Sequence, residues 1–312
     1  MSLVVTVPTD RLSADLAPLP EGVEVITWDL QTPPPRERMD IVVPPYMDTK
    51  SVLGALEGLD IGLVQGQMIG YDSVVDVLPA GLRFANAATV HESATAELAL
   101  ALTLAAQRHL PDFVRAQEHG DWSRPWAAGL ADRRVLLVGF GGVGQAIAER
   151  LAPFEVDLTV VARTARTVTH DALGAVDVHA ITELPTLLAD AEILILALPG
   201  TDETRHLIDD AALAALPDGA LVVNVGRGPL VDTDALVAHA GEGRIRAALD
   251  VVDPEPLPQD HPLWSLPGVL IAPHVGGATD AMHPRIARLV RTQIERMLRG
   301  DEPVNVVIEP QS

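Results

Sequence analysis

Two kinds of apolar pattern alternate along the chain. Near-continuous runs at 3–7, 23–28, 41–43, 61–64 and 83–85 are short and bounded by turn-rich or helix-periodic stretches. Runs of that length read as buried strands, and their alternation with helical stretches predicts a first α/β unit built on a parallel sheet. Pro33-Pro34-Pro35 and Pro44-Pro45 mark loops within it. From about 92 to 107 the chain is apolar nearly all round (Leu98, Ala99, Leu100, Ala101, Leu102, Leu104), which predicts a helix buried on all sides. Glu97 is the odd residue there, read as a capped or partnered carboxylate. A second series of runs follows at 135–138, 156–161, 192–196, 221–225, 247–251 and 269–272, as apolar as strands covered on both faces require. A last helix, about 280 to 299, carries Ile286, Leu289, Val290, Ile294, Met297 and Leu298 at helical spacing, and the tail at 303–307 is expected to return to the first unit. The division predicted is 1–96 with 286–312 for one domain, and 97–285 for the other.

The most informative stretch joins a strand to a helix. Val135-Leu-Leu-Val138 runs into Gly139, Gly141 and Gly144 in the order G-x-G-x-x-G, and then into a helix with Val143, Ile147 and Leu151 on one face. In that setting the first glycine permits a tight turn and the second lets a pyrophosphate approach the backbone. The third lets helix and strand pack closely. The phosphates then meet the free N–H groups and the positive dipole end of the helix. A dinucleotide-binding domain is the expectation.

Composition narrows the chemistry. The formal charge is −21, and Lys50 is the only lysine. That balance disfavours nucleic acid and anionic membranes as partners, and it leaves almost no room for a Schiff-base or P-loop lysine. With no cysteine, disulfides, Cys-ligated zinc and thiol catalysis are excluded, and no metal-ligand set is assigned. The N-terminal segment lacks the basic region and apolar core of a targeting peptide, and no apolar stretch reaches spanning length, so a cytoplasmic protein is expected.

Four residues then stand at or just past the ends of three predicted strands. Arg227 follows Asn224-Val225, Asp250 closes the next strand with Glu255 five residues on, and His274 follows Leu270-Ile271-Ala272-Pro273. Ligands of an open parallel sheet bind outside the carboxyl ends of its strands. One edge therefore collects a cation, carboxylates, an imidazole and a dinucleotide, an inventory suited to proton-coupled hydride transfer. Each residue alone has an ordinary reading: a satisfied histidine, a loop-capping arginine, a solvated glutamate between two prolines. Their coincidence favours the catalytic one.

These segments carry a resemblance. Gly139–Gly144, Asn224-Val-Gly-Arg-Gly-Pro-Leu-Val-Asp232, Ala248-Leu-Asp-Val-Val-Asp-Pro-Glu-Pro256 and Ala272-Pro-His-Val-Gly-Gly277 resemble, in order, the motifs of the D-isomer-specific 2-hydroxyacid dehydrogenases. Gly70-Tyr71-Asp72, Glu97 and His261-Pro-Leu-Trp264 fit as well, over roughly residues 60 to 307. The resemblance implies a Rossmann-type dinucleotide-binding domain and a flavodoxin-like substrate domain, both with parallel sheets. It implies reduction of a small 2-oxo acid to the D-2-hydroxy acid, of the glyoxylate or hydroxypyruvate kind. His274 would be the acid/base paired with Glu255, and Arg227 would bind and polarise the substrate. The backbone amides of Ile69 and Gly70 would hold the substrate carboxylate, and Asp250 the nicotinamide amide. Gly139, Gly141, Gly142, Val143, Gly144, Leu198, Pro199, Val225, Gly226, Gly276 and Gly277 would line the cofactor. A homodimer through the nucleotide domain is also implied. Two departures stand out: Met68, where the family often has a small residue, and Gly226, where alanine is frequent.

NAD specificity usually shows as a carboxylate at the end of the second strand of the domain. Here that strand runs into Ala162-Arg163-Thr164-Ala165-Arg166. Arg163, Thr164 and Arg166 suit a 2′-phosphate, so NADP(H) is expected over NAD(H). By the resemblance, the loop holding Tyr46 and Met47 faces the substrate side chain; it has no basic residue, which disfavours a phosphorylated substrate. Relatives acting on formate or phosphite fit less well, since Glu255 and Ile69 stand where they carry glutamine and lysine. The reading from another class is a sensor or corepressor that binds NAD(P)H without turnover, which would need none of Arg227, Glu255 and His274.

Overall fold

A computed structural model describes residues 2–47, 49–72 and 74–310. The chain runs through β1 (Leu3–Val7), α1 (Asp10–Asp15), β2 (Val23–Thr27), β3 (Arg38–Val42), α2 (Thr49–Val52), β4 (Asp60–Gln65), β5 (Phe84–Ala85), α3 (Glu92–Gln107) and α4 (Leu110–Glu118). It continues through β6 (Arg134–Val138), α5 (Gly142–Leu151), β7 (Asp157–Ala162), β8 (Arg166–His170), β9 (Gly174–Ala180), α6 (Leu184–Leu187), β10 (Ile193–Leu196) and α7 (Asp210–Ala215). Last come β11 (Ala220–Asn224), α8 (Thr233–Gly241), β12 (Ile245–Leu249), β13 (Val269–Ile271), α9 (Met282–Arg299) and β14 (Val306–Ile308).

Contacts divide these elements into two compact units, 1–91 with 278–312 and 92–277. The sequence pattern had placed the crossings at 96/97 and 285/286. In the first unit six strands lie in the order β14-β5-β4-β3-β1-β2, parallel except for β14, which the C-terminal tail adds antiparallel to β5. One face packs Val5 and Ile41 against Ile286 and Val290 of α9, and the other packs Met39 and Val42 against Leu53, Leu56 and Phe84.

The second unit carries eight strands in the order β13-β12-β11-β10-β6-β7-β9-β8, of which only β8 is antiparallel. Along β6 the side chains alternate between two cores. Val135 and Leu137 meet Ile147 of α5 and Leu100 of α3, whereas Leu136 and Val138 meet Leu194, Leu213 and Leu236. A strand covered on both faces must be apolar at every position, which is why its run is continuous. β6 feeds β7 on one side, and the chain later crosses to β10 on the other. The reversal of strand order, where doubly wound sheets hold their ligands, therefore falls at the carboxyl end of β6.

Three features differ from the sequence reading. The hairpin of β8 and β9 follows β7 where the apolar pattern marked no strand, and both sheets carry an antiparallel edge strand. α3 is buried on most of its surface but leaves Glu97 and Ala101 exposed, one turn apart on one face. Among the described residues, no helix is long and apolar enough to cross a membrane.

Candidate active site

Parallel strands bring their carboxyl ends to one edge, and in the second unit that edge gathers most of the residues singled out above. Gly139 follows β6, Arg163 follows β7, Leu198 and Pro199 follow β10, Arg227 follows β11, Asp250 follows β12 and His274 follows β13.

The glycine loop shows three separate constraints. A Cβ on Gly144 would overlap the carbonyl oxygen of Gly139, so α5 crosses β6 at a distance only glycine allows. Gly139 has φ of 111° and presses on the backbone of Ala197. Gly141 faces open space and caps α5 with no side-chain hydrogen bond, leaving first-turn N–H groups for an anion. These features fit a dinucleotide pyrophosphate. Beside them sit two residues that the sequence reading passed over. Glu92 lies where a Cβ on Gly142 would be, 2.9 Å from its Cγ, and Thr95 packs against Gly276. Nothing in an ordinary helix start marks either one; only the fold brings α3 to this edge.

Asn224, buried at the end of β11, shapes the next loop with both ends of its amide. Its Oδ1 accepts from the Gly226 amide at 3.1 Å and its Nδ2 donates to the Arg227 carbonyl at 2.9 Å. The Arg227 guanidinium donates to the Gly226 carbonyl at 2.7 Å, and its stem lies over Gly200. Gly226 is explained by packing: a Cβ there would come 2.7 Å from the Leu198 carbonyl and 2.8 Å from Leu230. Gly228 in turn abuts the backbone of Val252, so the loops after β11 and β12 touch.

Asp250 is 3% exposed, and its carboxylate holds the loop after β13. Oδ1 accepts from the Val275 amide at 2.7 Å and Oδ2 from the Gly276 amide at 2.9 Å, while the His274 amide donates to the Asp250 carbonyl at 2.8 Å. Burial pushes the Asp250 carboxyl up, and the two amides pull the other way. Between these anchors His274 adopts φ of 53°, a left-handed conformation that costs a side-chain-bearing residue energy and concentrates at functional sites. Its Nδ1 lies 2.5 Å from Glu255 Oε1. That hydrogen bond raises the imidazole pKa above its ordinary value, against partial burial; the charges of Glu255 and Asp250 add to the rise and that of Arg227 opposes it. The pair leaves Nε2 as the ring nitrogen available to another molecule.

Arg163 and Thr164 are exposed in the turn from β7 into β8, and Arg166 opens β8, its guanidinium donating to the Thr164 carbonyl at 3.2 Å. In the first unit Ile69 and Gly70 follow β4, and Tyr46 and Met47 follow β3. β3 and β4 are parallel neighbours, so both loops share the carboxyl edge of that sheet. Asn86 Nδ2 donates to the Ile69 carbonyl at 2.8 Å, and the Tyr46 ring stacks on His91 with centroids 5.5 Å apart.

Residues 100–276 match the family model described as D-isomer specific 2-hydroxyacid dehydrogenase, NAD binding domain. A glyoxylate reductase of Pyrococcus furiosus is 32% identical over 93% of this chain and 90% of its own. A D-isomer specific 2-hydroxyacid dehydrogenase of Xanthobacter autotrophicus, solved with NADPH and MES, superposes with a TM-score of 0.77 at 30% identity, covering 98% of both chains. An NADPH-dependent glyoxylate/hydroxypyruvate reductase of Sinorhizobium meliloti, solved with NADP and malonate, gives a TM-score of 0.77 at 27% identity over 99% of this chain and 98% of that one.

Proposed function

The chain belongs to the D-isomer specific 2-hydroxyacid dehydrogenases, an oxidoreductase family, and from that premise we propose that it uses NADPH to reduce a small 2-oxo acid with an uncharged side chain to the D-2-hydroxy acid. The observation that carries this reading is the 2.5 Å pair of His274 and Glu255, on the same sheet edge as the glycine loop. The nicotinamide supplies the hydride when bound. His274 delivers the proton to the carbonyl oxygen from Nε2, while Glu255 on Nδ1 fixes the ring and favours its charged form. Arg227 presents a permanently charged planar fork to the carboxylate and oxo groups and draws electron density from the reacting carbon.

By the family likeness, the amides of Ile69 and Gly70 take the substrate carboxylate, and Tyr46 and Met47 set which side chains are accepted. Asp250 is assigned the nicotinamide amide; its two backbone bonds engage one lone pair on each oxygen and leave acceptor capacity for that contact. Arg163, Thr164 and Arg166 take the 2′-phosphate. The family likeness also points to a homodimer through the second unit, supported by the exposed apolar side chains of Leu110, Phe113, Val114, Trp122 and Trp126.

A panel of 2-oxo acids followed by NADPH absorbance tests the assignment. Glyoxylate, hydroxypyruvate or a larger uncharged 2-oxo acid is expected to turn over, with 3-phosphohydroxypyruvate poor. NADPH binding without turnover on any member would support the sensor reading instead.

A further inference from the structure

Positive charge is scarce in this chain, with 22 Lys and Arg against 43 Asp and Glu, yet three arginines line one groove of the first unit. α1 and α9 pack through Leu12, Ile286 and Val290. Beside that contact, Arg11 and Asp15 of α1 and His283, Ala287, Arg288 and Arg291 of α9 border a cavity of about 290 Å³. His283, Ala287 and Arg291 recur every four residues, so an imidazole and a guanidinium share one face of α9 with a small residue between them. Arg288 stands on the adjoining row.

The arginines differ in what holds them. Arg291 is fixed: Nε donates to the Leu16 carbonyl at 3.2 Å and Nη2 to the carbonyls of Asp15 and Ala17, closing the C-terminal end of α1. Arg11 reaches the Asp15 carboxylate only at 4.0 Å, with 60% of its side chain exposed, a contact of little energetic weight. Arg288 is exposed and makes no ion pair with any described carboxylate. Three guanidinium groups thus face one carboxylate, a surplus of two positive charges before His283 is counted, in a chain whose net charge is −21. Like charges gathered in a concave site repel one another until an anion enters. The planar guanidinium fork matches phosphate and carboxylate oxygens, and a cavity near the lower end of the ligand-site range suits a small molecule.

We propose that this groove is a second ligand site, for a small polyanion recognised through a phosphate-type group, in a different unit from the glycine loop. Its occupant would tie Arg11 of α1 to Arg288 and Arg291 of α9. The proposal is independent of which 2-oxo acid the enzyme reduces.

Calorimetric titration of the full chain with inorganic pyrophosphate, at saturating NADPH to fill the glycine loop, tests it. Wild type is expected to bind saturably at one site per chain. R11A/R288A and R288E should bind at least about tenfold more weakly, and R163A should match wild type. Both altered side chains lie at the surface, so melting temperatures without pyrophosphate should stay close to wild type. R288E alone carries the test if the double variant does not fold. No saturable binding by wild type, undiminished binding by R288E, or an equal loss in R163A would each overturn the proposal.

Discussion

His274 combines an unfavourable backbone conformation with a favourable side-chain pairing, and the two depend on different neighbours. Asp250 and its amide bonds hold the φ of 53°; Glu255 sets the protonation of the ring. Because the imidazole pKa is raised, the proton-donor form persists above the ordinary value near 6.5 and is lost as pH rises through the folded value. In the reduction direction kcat/KM should therefore fall on the alkaline side of a limb belonging to His274. Glu255→Gln keeps a hydrogen-bond acceptor but removes the charge, so that limb should move toward acid pH. An unmoved limb in the pH profile would remove Glu255 from the proton-donor role. His274→Asn should lower kcat by about 10²–10⁴-fold, the usual worth of a positioned general acid, with NADPH affinity by fluorescence titration little changed. At Arg163, loss of one charge-assisted contact to a 2′-phosphate is worth roughly 1.5–3 kcal/mol. Arg163→Ala should accordingly cut the NADPH-to-NADH ratio of kcat/KM by roughly 10- to 100-fold; equal use of both cofactors by wild type would sink the NADP assignment.

At the level of elements, what the sequence made legible was whatever is buried on both faces. β6, β10 and β11 are apolar at nearly every position because helices cover each side of the sheet, and the glycine loop is marked by residues that no other type can replace at Gly139 and Gly144. β8, by contrast, reads Arg-Thr-Val-Thr-His, an edge strand with three exposed positions, and its partner β9 buries only Val178 fully. Period-two patterning over so short and polar a stretch does not separate a hairpin from a loop. The approach of Glu92 to the glycine loop and of Thr95 to Gly276 was equally invisible, since it depends on α3 packing against α5 and β13. The C-terminal tail joins the first unit partly through buried amides that no apolar pattern could announce. Gln293 of α9 donates to Gln65 Oε1 at 2.7 Å and to the Val304 carbonyl at 2.8 Å, and accepts from the Val304 amide at 3.0 Å. Gln293→Leu fills the volume but strands these buried partners, each costing about 1–3 kcal/mol when unsatisfied. The unfolding free energy from urea titration should fall by at least an amount in that range, and an unchanged value would show that water or rearrangement replaces the network.

For the whole molecule, net charge and exposed apolar surface pull association in opposite directions. Each chain carries −21, so two copies repel, and only a compact apolar contact brings them together at low salt. The second unit offers one between 110 and 126: α4 exposes Leu110, Phe113 and Val114, and the segment after it leaves Trp122 83% and Trp126 97% exposed. Two indoles that far in water are unusual for a monomer, whereas buried tryptophans anchor interfaces. A homodimer closed over this segment should run at about 66 kDa by light scattering, twice the 33.1 kDa of one chain. Trp122→Ser with Trp126→Ser should shift it to monomer while leaving the melting transition of the chain itself intact, because neither indole belongs to a core. Salt separates the two forces. Raising ionic strength shortens the screening length to a few ångströms and weakens the repulsion, so the wild-type dimer should tighten with added NaCl. Wild type that stays at the mass of one chain at micromolar concentration and high salt would refute the dimer, and a double variant as dimeric as wild type would place the contact elsewhere on the unit.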